Sequence, residues 1–214
     1  DWVKLDAVGK RAMYIWDLDM GPGLQPPLVP PGTYTIELKI GDKKYKQNTE
    51  VLKDPGTVAT VEDINKQYFF TMKVYEAVKS SFKMIDEMET LRSKLLYIVD
   101  STNSNKTKKS QAAKLENDLW KLEGRVHDVF QTGAREDIFR NPAKLLERLL
   151  AIQKESAFGS ADFQPTDQDV EVYTQLKSDL DNVLSDYADI KKSVAPLKSN
   201  LKIRNKINTS INKK

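Results

Sequence analysis

The apolar and polar residues of the chain follow two different periods, and the change falls near residue 60. From Gly32 to Ile40 apolar residues alternate with polar ones, which is the period of a β-strand that buries one face. Gly41-Asp42 is a two-residue turn signal, and Lys43 to Val51 predicts a returning strand, so this region predicts a β-hairpin. The apolar positions of the first strand are Tyr34, Ile36, Leu38 and Ile40.

A short apolar run at residues 13–16, upstream of the hairpin, predicts a further strand. So few strands leave unpaired edges and a thin core, and they must pack either on the helices or on further residues. Trp2 and Trp16 add more apolar surface than so small a unit normally carries. We therefore expect strands upstream of Asp1 to complete it.

Beyond residue 60 the apolar residues recur every three or four positions, which is the period of an amphipathic helix. Thr60 is a suitable N-cap, and Glu62 and Asp63 place negative charge in the first turn. The stripe predicts one long helix that buries Val61, Ile64, Tyr68, Met72, Tyr75, Val78, Phe82, Ile85, Met88, Leu91, Leu95 and Ile98.

Later stripes predict further helices. A polar, lysine-rich stretch at residues 101–110 predicts a loop, and the second stripe runs from residue 112 to residue 129. Asn141-Pro142 predicts the start of a third, leucine-rich helix. Pro165-Thr166 predicts the start of the last long helix, in which Pro196 is expected to cause a kink or a restart.

Together these patterns predict an α+β chain. Residues 1–58 are expected to form a small antiparallel β unit, and residues 59–214 an antiparallel bundle of about four helices with a polar, basic tail. Hydrophobic residues make up 39% and charged residues 30%, which is typical of a folded helical protein rather than a disordered chain. The net charge of +3 gives no strong electrostatic steering of a partner.

The composition excludes several classes of site. The chain has no cysteine, which excludes disulfides, thiolate zinc sites and cysteine nucleophiles. His127 is the single histidine, so a histidine-rich metal site cannot form. There is no phosphate-binding, dinucleotide-binding or serine-hydrolase motif, and no apolar run could span a bilayer. We expect no cofactor, no metal and no membrane insertion.

A few polar residues are candidates for chemistry. Asp17 and Asp19, two positions apart, could share one face of a strand as the carboxylates of a glycosidase do. Aspartate before a Gly-Pro turn is ordinary turn chemistry, so we favour no catalytic role. His127 fits a structural residue better than a general base. The sequence thus predicts no catalytic residue, and a solvated helix face accounts for Asp86, Glu87 and Glu89.

The basic tail fits a solubilising segment better than a nucleic-acid or lipid site, because no aromatic residues are interleaved with its charges. Its basic residues are Lys198, Lys202, Arg204, Lys206, Lys213 and Lys214. Asn105 and Asn208 begin weak glycosylation patterns. Aromatic residues crowd one end of the first long helix, and any that are exposed would offer a docking surface to the β unit. They are Tyr68, Phe69, Tyr75 and Phe82.

The hairpin region resembles a known family. Residues 29–38 (VPPGTYTIEL), 41–45 (GDKKY) and 51–55 (VLKDP) are similar to the C-terminal region of large bacterial exported β-propeller proteins. These are labelled sortilin-like or BNR-repeat glycosyl-hydrolase-like proteins. Residues 14–18 (YIWDL) and 60–63 (TVED) fall in the matching places.

The resemblance implies that the β unit is part of an immunoglobulin-like sandwich and that propeller repeats lie upstream. It supplies no catalytic residue. We therefore expect a non-catalytic structural or interaction module from the C-terminal end of a larger exported envelope protein, in the periplasm, at the outer membrane or outside the cell. It would brace a propeller or dock a partner protein.

Several alternatives stay open. The chain could belong to a glycoside hydrolase-like enzyme whose active site lies upstream, or be a hydrolase that uses Asp17 or Asp19. It could be a self-contained helical adaptor that forms a homodimer. It could also bind nucleic acid or lipid through the basic tail, although we expect no nucleic-acid partner.

Overall fold

The computed structural model describes residues 27–102, 104–129, 141–157 and 162–198. Within these residues a two-stranded antiparallel sheet precedes four helices, which confirms the predicted α+β class with a small β unit and a helical bundle. The predicted strand at residues 13–16, the candidates Asp17 and Asp19, and the tail beyond residue 198 lie outside the described residues. The elements are β1 (Gly32–Ile40), β2 (Lys43–Val51), α1 (Val61–Asp100), α2 (Lys106–Val126), α3 (Leu145–Ala157) and α4 (Asp167–Lys198).

β1 and β2 form a hairpin with the predicted bounds. The register pairs Ile40 with Lys43 beside the turn and Gly32 with Val51 at the open end. Gly41 has φ +59°, which suits the first central position of a type II′ turn. A side chain is strained at this φ, so glycine at this position selects the turn and, through it, the register.

α1 begins at the predicted residue because Thr60 and Asp63 form a capping box. The Thr60 hydroxyl oxygen accepts a hydrogen bond from the Asp63 backbone N–H at 3.1 Å, and Asp63 Oδ2 accepts one from the Thr60 N–H at 2.9 Å. The helix contains 40 residues. At its rise per residue it is about 60 Å long and needs neighbours along most of that length.

The buried seam of α1 corrects the predicted stripe between residues 61 and 85. From Met88 to Ile98 the predicted residues are buried, but Val61 is exposed and Tyr68, Met72, Tyr75, Phe82 and Ile85 are only partly buried. The seam advances by alternating steps of four and three. Ala77 and Ser81 lie on it; both are small and carry little hydropathy signal, which is why the prediction missed the line. The seam is Phe70, Val74, Ala77, Ser81, Met84, Met88, Leu91, Leu95 and Ile98.

Two helix starts also differ from the prediction. α2 begins at Lys106 rather than after residue 110, because Asn105 caps it: Asn105 Oδ1 accepts a hydrogen bond from the Lys108 N–H at 2.8 Å. α3 begins at Leu145 rather than at Asn141-Pro142. There Glu147 Oε2 accepts a hydrogen bond from the Lys144 N–H at 2.8 Å and satisfies a donor at the start of the helix.

α4 begins as predicted, with a second capping box between Thr166 and Asp169. It packs parallel to α1. The Tyr173 hydroxyl donates a hydrogen bond to the Lys73 carbonyl at 3.1 Å, and further along both helices Tyr187 reaches Glu87. The helix continues through Pro196 to the last described residue.

The two middle helices follow one another in the same direction. α2 returns along the second half of α1, and the Asp128 N–H just beyond its end donates to Glu147 Oε1 on α3 at 3.3 Å. α3 packs against α1 and α4, and its start lies beside Asp179 and Val183 of α4, on the side of Tyr187 nearer the first half of α1. In the described residues the bundle is therefore built from α1 and α4, with α2 and α3 packed against both of them. Leucine and valine side chains from all four helices form one core.

The hairpin does not rest on the bundle. Among the described residues, neither strand lies against a helix. At the base of the hairpin, Val51 of β2 and the flanking residues Val29 and Leu52 line an open hollow together with Ile64 and Tyr68 of α1. No helix within the described ranges is both long and apolar enough to cross a membrane.

Candidate functional site

The hairpin has two chemically different faces. Residues paired across the register project to the same face, so the odd positions of β1 lie with the even positions of β2. On this polar face the Thr35 hydroxyl donates to Asn48 Oδ1 at 3.0 Å. Glu37 Oε1 lies 3.1 Å from Lys44 Nζ and its Oε2 lies 3.2 Å from Lys46 Nζ. Hydrogen bonding to Lys44 first, and then to Lys46, holds the pKa of Glu37 below its ordinary value.

The opposite face is apolar and open to solvent. We call it the apolar face; its residues are Tyr34, Ile36, Leu38, Ile40, Tyr45 and Val51. Four of them, from Ile36 to Ile40 and Tyr45, have exposed fractions between 50% and 61%. Leu38 is directly opposite Tyr45, and Ile36 is the next residue of β1 on the same face, two pairs further from the turn, so the apolar side chains are contiguous. A contiguous exposed apolar patch on a soluble domain is typical of an interaction surface.

Short-range hydrogen bonds fix the base of the hairpin. The Tyr34 hydroxyl donates to the Pro30 carbonyl at 2.6 Å. After β2, Asp54 accepts from the Gly56 N–H at 2.7 Å and from the Thr57 N–H at 3.2 Å, which makes a tight turn. This turn leads directly into the capped start of α1, so the connection between hairpin and bundle is short and internally bonded.

A polar cluster between α1 and α2 contains Glu123, the most buried charged side chain among the described residues. Glu123 is 2% exposed, and its Oε2 accepts a hydrogen bond from Arg92 Nη1 at 2.7 Å. Arg92 also donates from Nε to Glu116 Oε1 at 3.1 Å, and its guanidinium lies 4.3 Å from the centre of the Trp120 ring. His127 Nε2 lies 3.3 Å from the other Glu123 oxygen.

This cluster links α1 to α2. Arg92 pairs with two glutamates that lie one heptad apart on α2. Both pairs can form only when α1 and α2 are aligned in one register. His127 caps the end of α2 through its backbone N–H, which donates to the Glu123 carbonyl. Sequence reasoning missed Arg92 and Glu123. The signal was available, because Glu123 falls among the apolar positions Leu119, Leu122 and Val126.

The three acidic residues predicted to lie on a solvated face of α1 differ in their surroundings. Asp86 and Glu89 are exposed on α1. Glu87 Oε2 accepts from Lys191 Nζ at 2.9 Å and from the Tyr187 hydroxyl at 3.2 Å, a link between α1 and α4. The hydrogen bond from Lys191 lowers the pKa of Glu87, and burial raises the pKa of Tyr187.

The aromatic end of α1 is only partly covered. Phe69 is 61% exposed and packs edge-to-face on Tyr68, with ring centres 5.5 Å apart. Tyr75 and Phe82 pack against the core instead. Tyr68, which is partly buried, also lines the hollow at the base of the hairpin, whereas the exposed Phe69 does not.

Metal ligands are not assembled in the part of the chain that the structure describes: no group of three or more histidine or acidic side chains could hold an ion there. Comparison of the chain with protein-family models, curated proteins and solved structures found no match.

Proposed function

We propose that this chain is a non-catalytic interaction module of a larger exported envelope protein. The helical bundle is its rigid support. The apolar face of the hairpin docks onto a β-sheet that belongs to the rest of the same polypeptide. The observation that carries the proposal is the contrast between a closed bundle core and a hairpin whose apolar face is exposed at Ile36, Leu38, Ile40 and Tyr45.

The chemistry of the face favours a sheet as the occupant. Sheets that pack face to face bury alternate residues of each strand and keep the others in solvent. The hairpin has this arrangement, with Ile36 and Leu38 on one side and Glu37 between its two lysines on the other. A groove for a single helix would instead be lined by residues on several elements. The resemblance of residues 29–55 to the region that follows β-propellers agrees with a β-rich neighbour.

The size of the face favours a neighbour on the same polypeptide. Complete burial of one large aliphatic side chain contributes about 1.5–3 kcal/mol, and these side chains are already half buried. Ile36, Leu38 and Ile40 together would then contribute about 3 kcal/mol. Association of two free proteins costs at least ~4 kcal/mol in lost translational and rotational freedom. The face is too small to hold a separate protein by itself, but a tethered sheet avoids most of that cost.

Photo-crosslinking in the source cells tests this. A photoreactive phenylalanine analogue would replace Leu38 on the apolar face and, as the matched control, the neighbouring Lys39 on the polar face. The product would be detected with an antibody against the bundle and mapped by mass spectrometry. We expect a polypeptide several times heavier than 24.4 kDa, with an internal crosslink from position 38 and none from position 39. A band at 24.4 kDa, or equal crosslinking from both positions, would contradict the proposal.

A further inference from the structure

The two strands of the hairpin contribute unequally to the apolar face. On β1 every residue of this face beyond Gly32 is large and apolar, from Tyr34 to Ile40. On β2 the same face is mixed: Gln47 and Thr49 lie between Tyr45 and Val51, and Lys43 lies beside the turn. The apolar centre therefore lies on β1 and not between the strands. A sheet keeps its apolar centre under its inner strands, which predicts that the sheet continues beyond β1.

The free backbone groups of β1 lie on odd positions. Because the hairpin turns through two residues, Ile40 and Lys43 form the hydrogen-bonded pair that closes it, and the pairs then alternate. The N–H and C=O groups of Thr33, Thr35, Glu37 and Lys39 consequently point away from β2. Within the described residues β1 has no other neighbour, so these groups form an unpaired edge.

The outer edge of β2 is protected by charge. Three of its first four residues are lysines at positions 43, 44 and 46, and lysine on an edge strand opposes further pairing. β1 carries one lysine, Lys39, and its outward positions are otherwise threonine and a glutamate that is already paired across the hairpin. β1 is therefore the edge that is open to another strand.

We propose that residues 13–19 of this chain (MYIWDLD) pair antiparallel with the outer edge of β1 as a third strand. They are the nearest apolar run to β1 in sequence. The intervening residues 20–31 are rich in glycine and proline, which cannot extend a strand, and could span about 40 Å when extended, far more than the reversal requires. Tyr14, Trp16 and Leu18 alternate in this run, so one side of the strand would widen the apolar face. The pairing concerns the edge of the sheet and stands independently of what docks on its face.

Residue-resolved amide hydrogen exchange by NMR on the intact chain tests the pairing. We expect the outward amides of β1, at positions 33, 35, 37 and 39, to exchange at least ~100-fold more slowly than those of β2, at positions 44, 46, 48 and 50, because only hydrogen-bonded amides require opening. We also expect cross-strand nuclear Overhauser effects between residues 13–19 and Thr35 or Glu37. Equal exchange at both edges, or the absence of these effects, would overturn the proposal.

A variant pair identifies the occupant. Ile15→Pro removes a donor and cannot continue a central strand, so the slow exchange of the outward β1 amides should be lost. Leu24→Pro, in the connecting segment, should leave it unchanged. The inward amides of Ile36 and Leu38 report whether the hairpin itself survives. Protection that persists in Ile15→Pro would assign the edge to another occupant, and its dependence on protein concentration would identify a second copy.

Discussion

Replacing Arg92 by methionine removes the cation that neutralises a buried carboxylate. Glu123 is 2% exposed. In the variant it loses its hydrogen bond to Arg92, and within this cluster it keeps the contact with His127 at 3.3 Å. Removal of one partner from a buried ion pair typically costs ~3–5 kcal/mol. Because the side chains of Arg92 and Glu116 are 18% and 19% exposed, water can reach part of the cluster. We therefore expect the lower end, a loss of about 3 kcal/mol in the free energy of unfolding.

A double-mutant cycle separates this pair from the methionine itself. Glu123→Leu should cost about 1 kcal/mol, since Arg92 keeps Glu116. The double variant Arg92→Met with Glu123→Leu replaces both charges by apolar side chains and should also lose only about 1 kcal/mol. The coupling between the two sites would then be about 3 kcal/mol.

Urea unfolding followed by far-ultraviolet circular dichroism measures each variant. The matched control is Arg125→Met, because Arg125 pairs with Asp186 where both side chains are about half exposed, 52% and 53%. That variant should lose less than ~1 kcal/mol. Additive losses in the cycle, or a loss for Arg92→Met no larger than for the control, would refute the assignment of a buried, coupled cluster.

Three further outcomes follow from other features. Ser81→Leu overfills the seam of α1 and should lower the free energy of unfolding by ~1–3 kcal/mol in urea titrations, whereas Ser80→Leu, off the seam, should change it little. Lys191 lowers the pKa of Glu87, so the stability that this pair supplies is present above the ordinary carboxyl range and is lost on acidification. Glu87→Gln should therefore reduce the loss of unfolding free energy at acid pH by less than ~1 kcal/mol. An unchanged loss at acid pH would contradict this. Gly41→Val, at φ +59°, should strain the turn by ~1–2 kcal/mol and speed amide exchange throughout the hairpin but not in the helices.

The hairpin and the caps could be predicted from sequence because their signals are local. Alternation predicted the bounds of β1, and the Gly41-Asp42 turn signal predicted where β2 returns. Thr60 and Thr166 each sit three residues before an aspartate, which is the spacing that a capping box requires. Such features depend on residues within one turn of each other, so no knowledge of tertiary packing is needed.

The features that escaped prediction depend on packing across the bundle. Ala77 and Ser81 are buried within the bundle, and their own polarity does not reveal it. Glu123 is buried because Arg92 comes to it from another helix. The end-to-end order of α2 and α3 is likewise a long-range property. Whether the hairpin has a β neighbour remains a prediction from its exposed face and from the resemblance.

Because the middle helices lie end to end, we expect the two halves of α1 to pack at different times during folding. The second half of α1 meets α2 across a short connection, so this helical hairpin closes at little loop entropy. The first half of α1 must wait for α3 and the start of α4, which lie much further along the chain. We expect this half to be ordered last during synthesis and to open first in the folded protein. It is the half that carries the β-hairpin, so the docking face is attached to the slowest-forming part of the support.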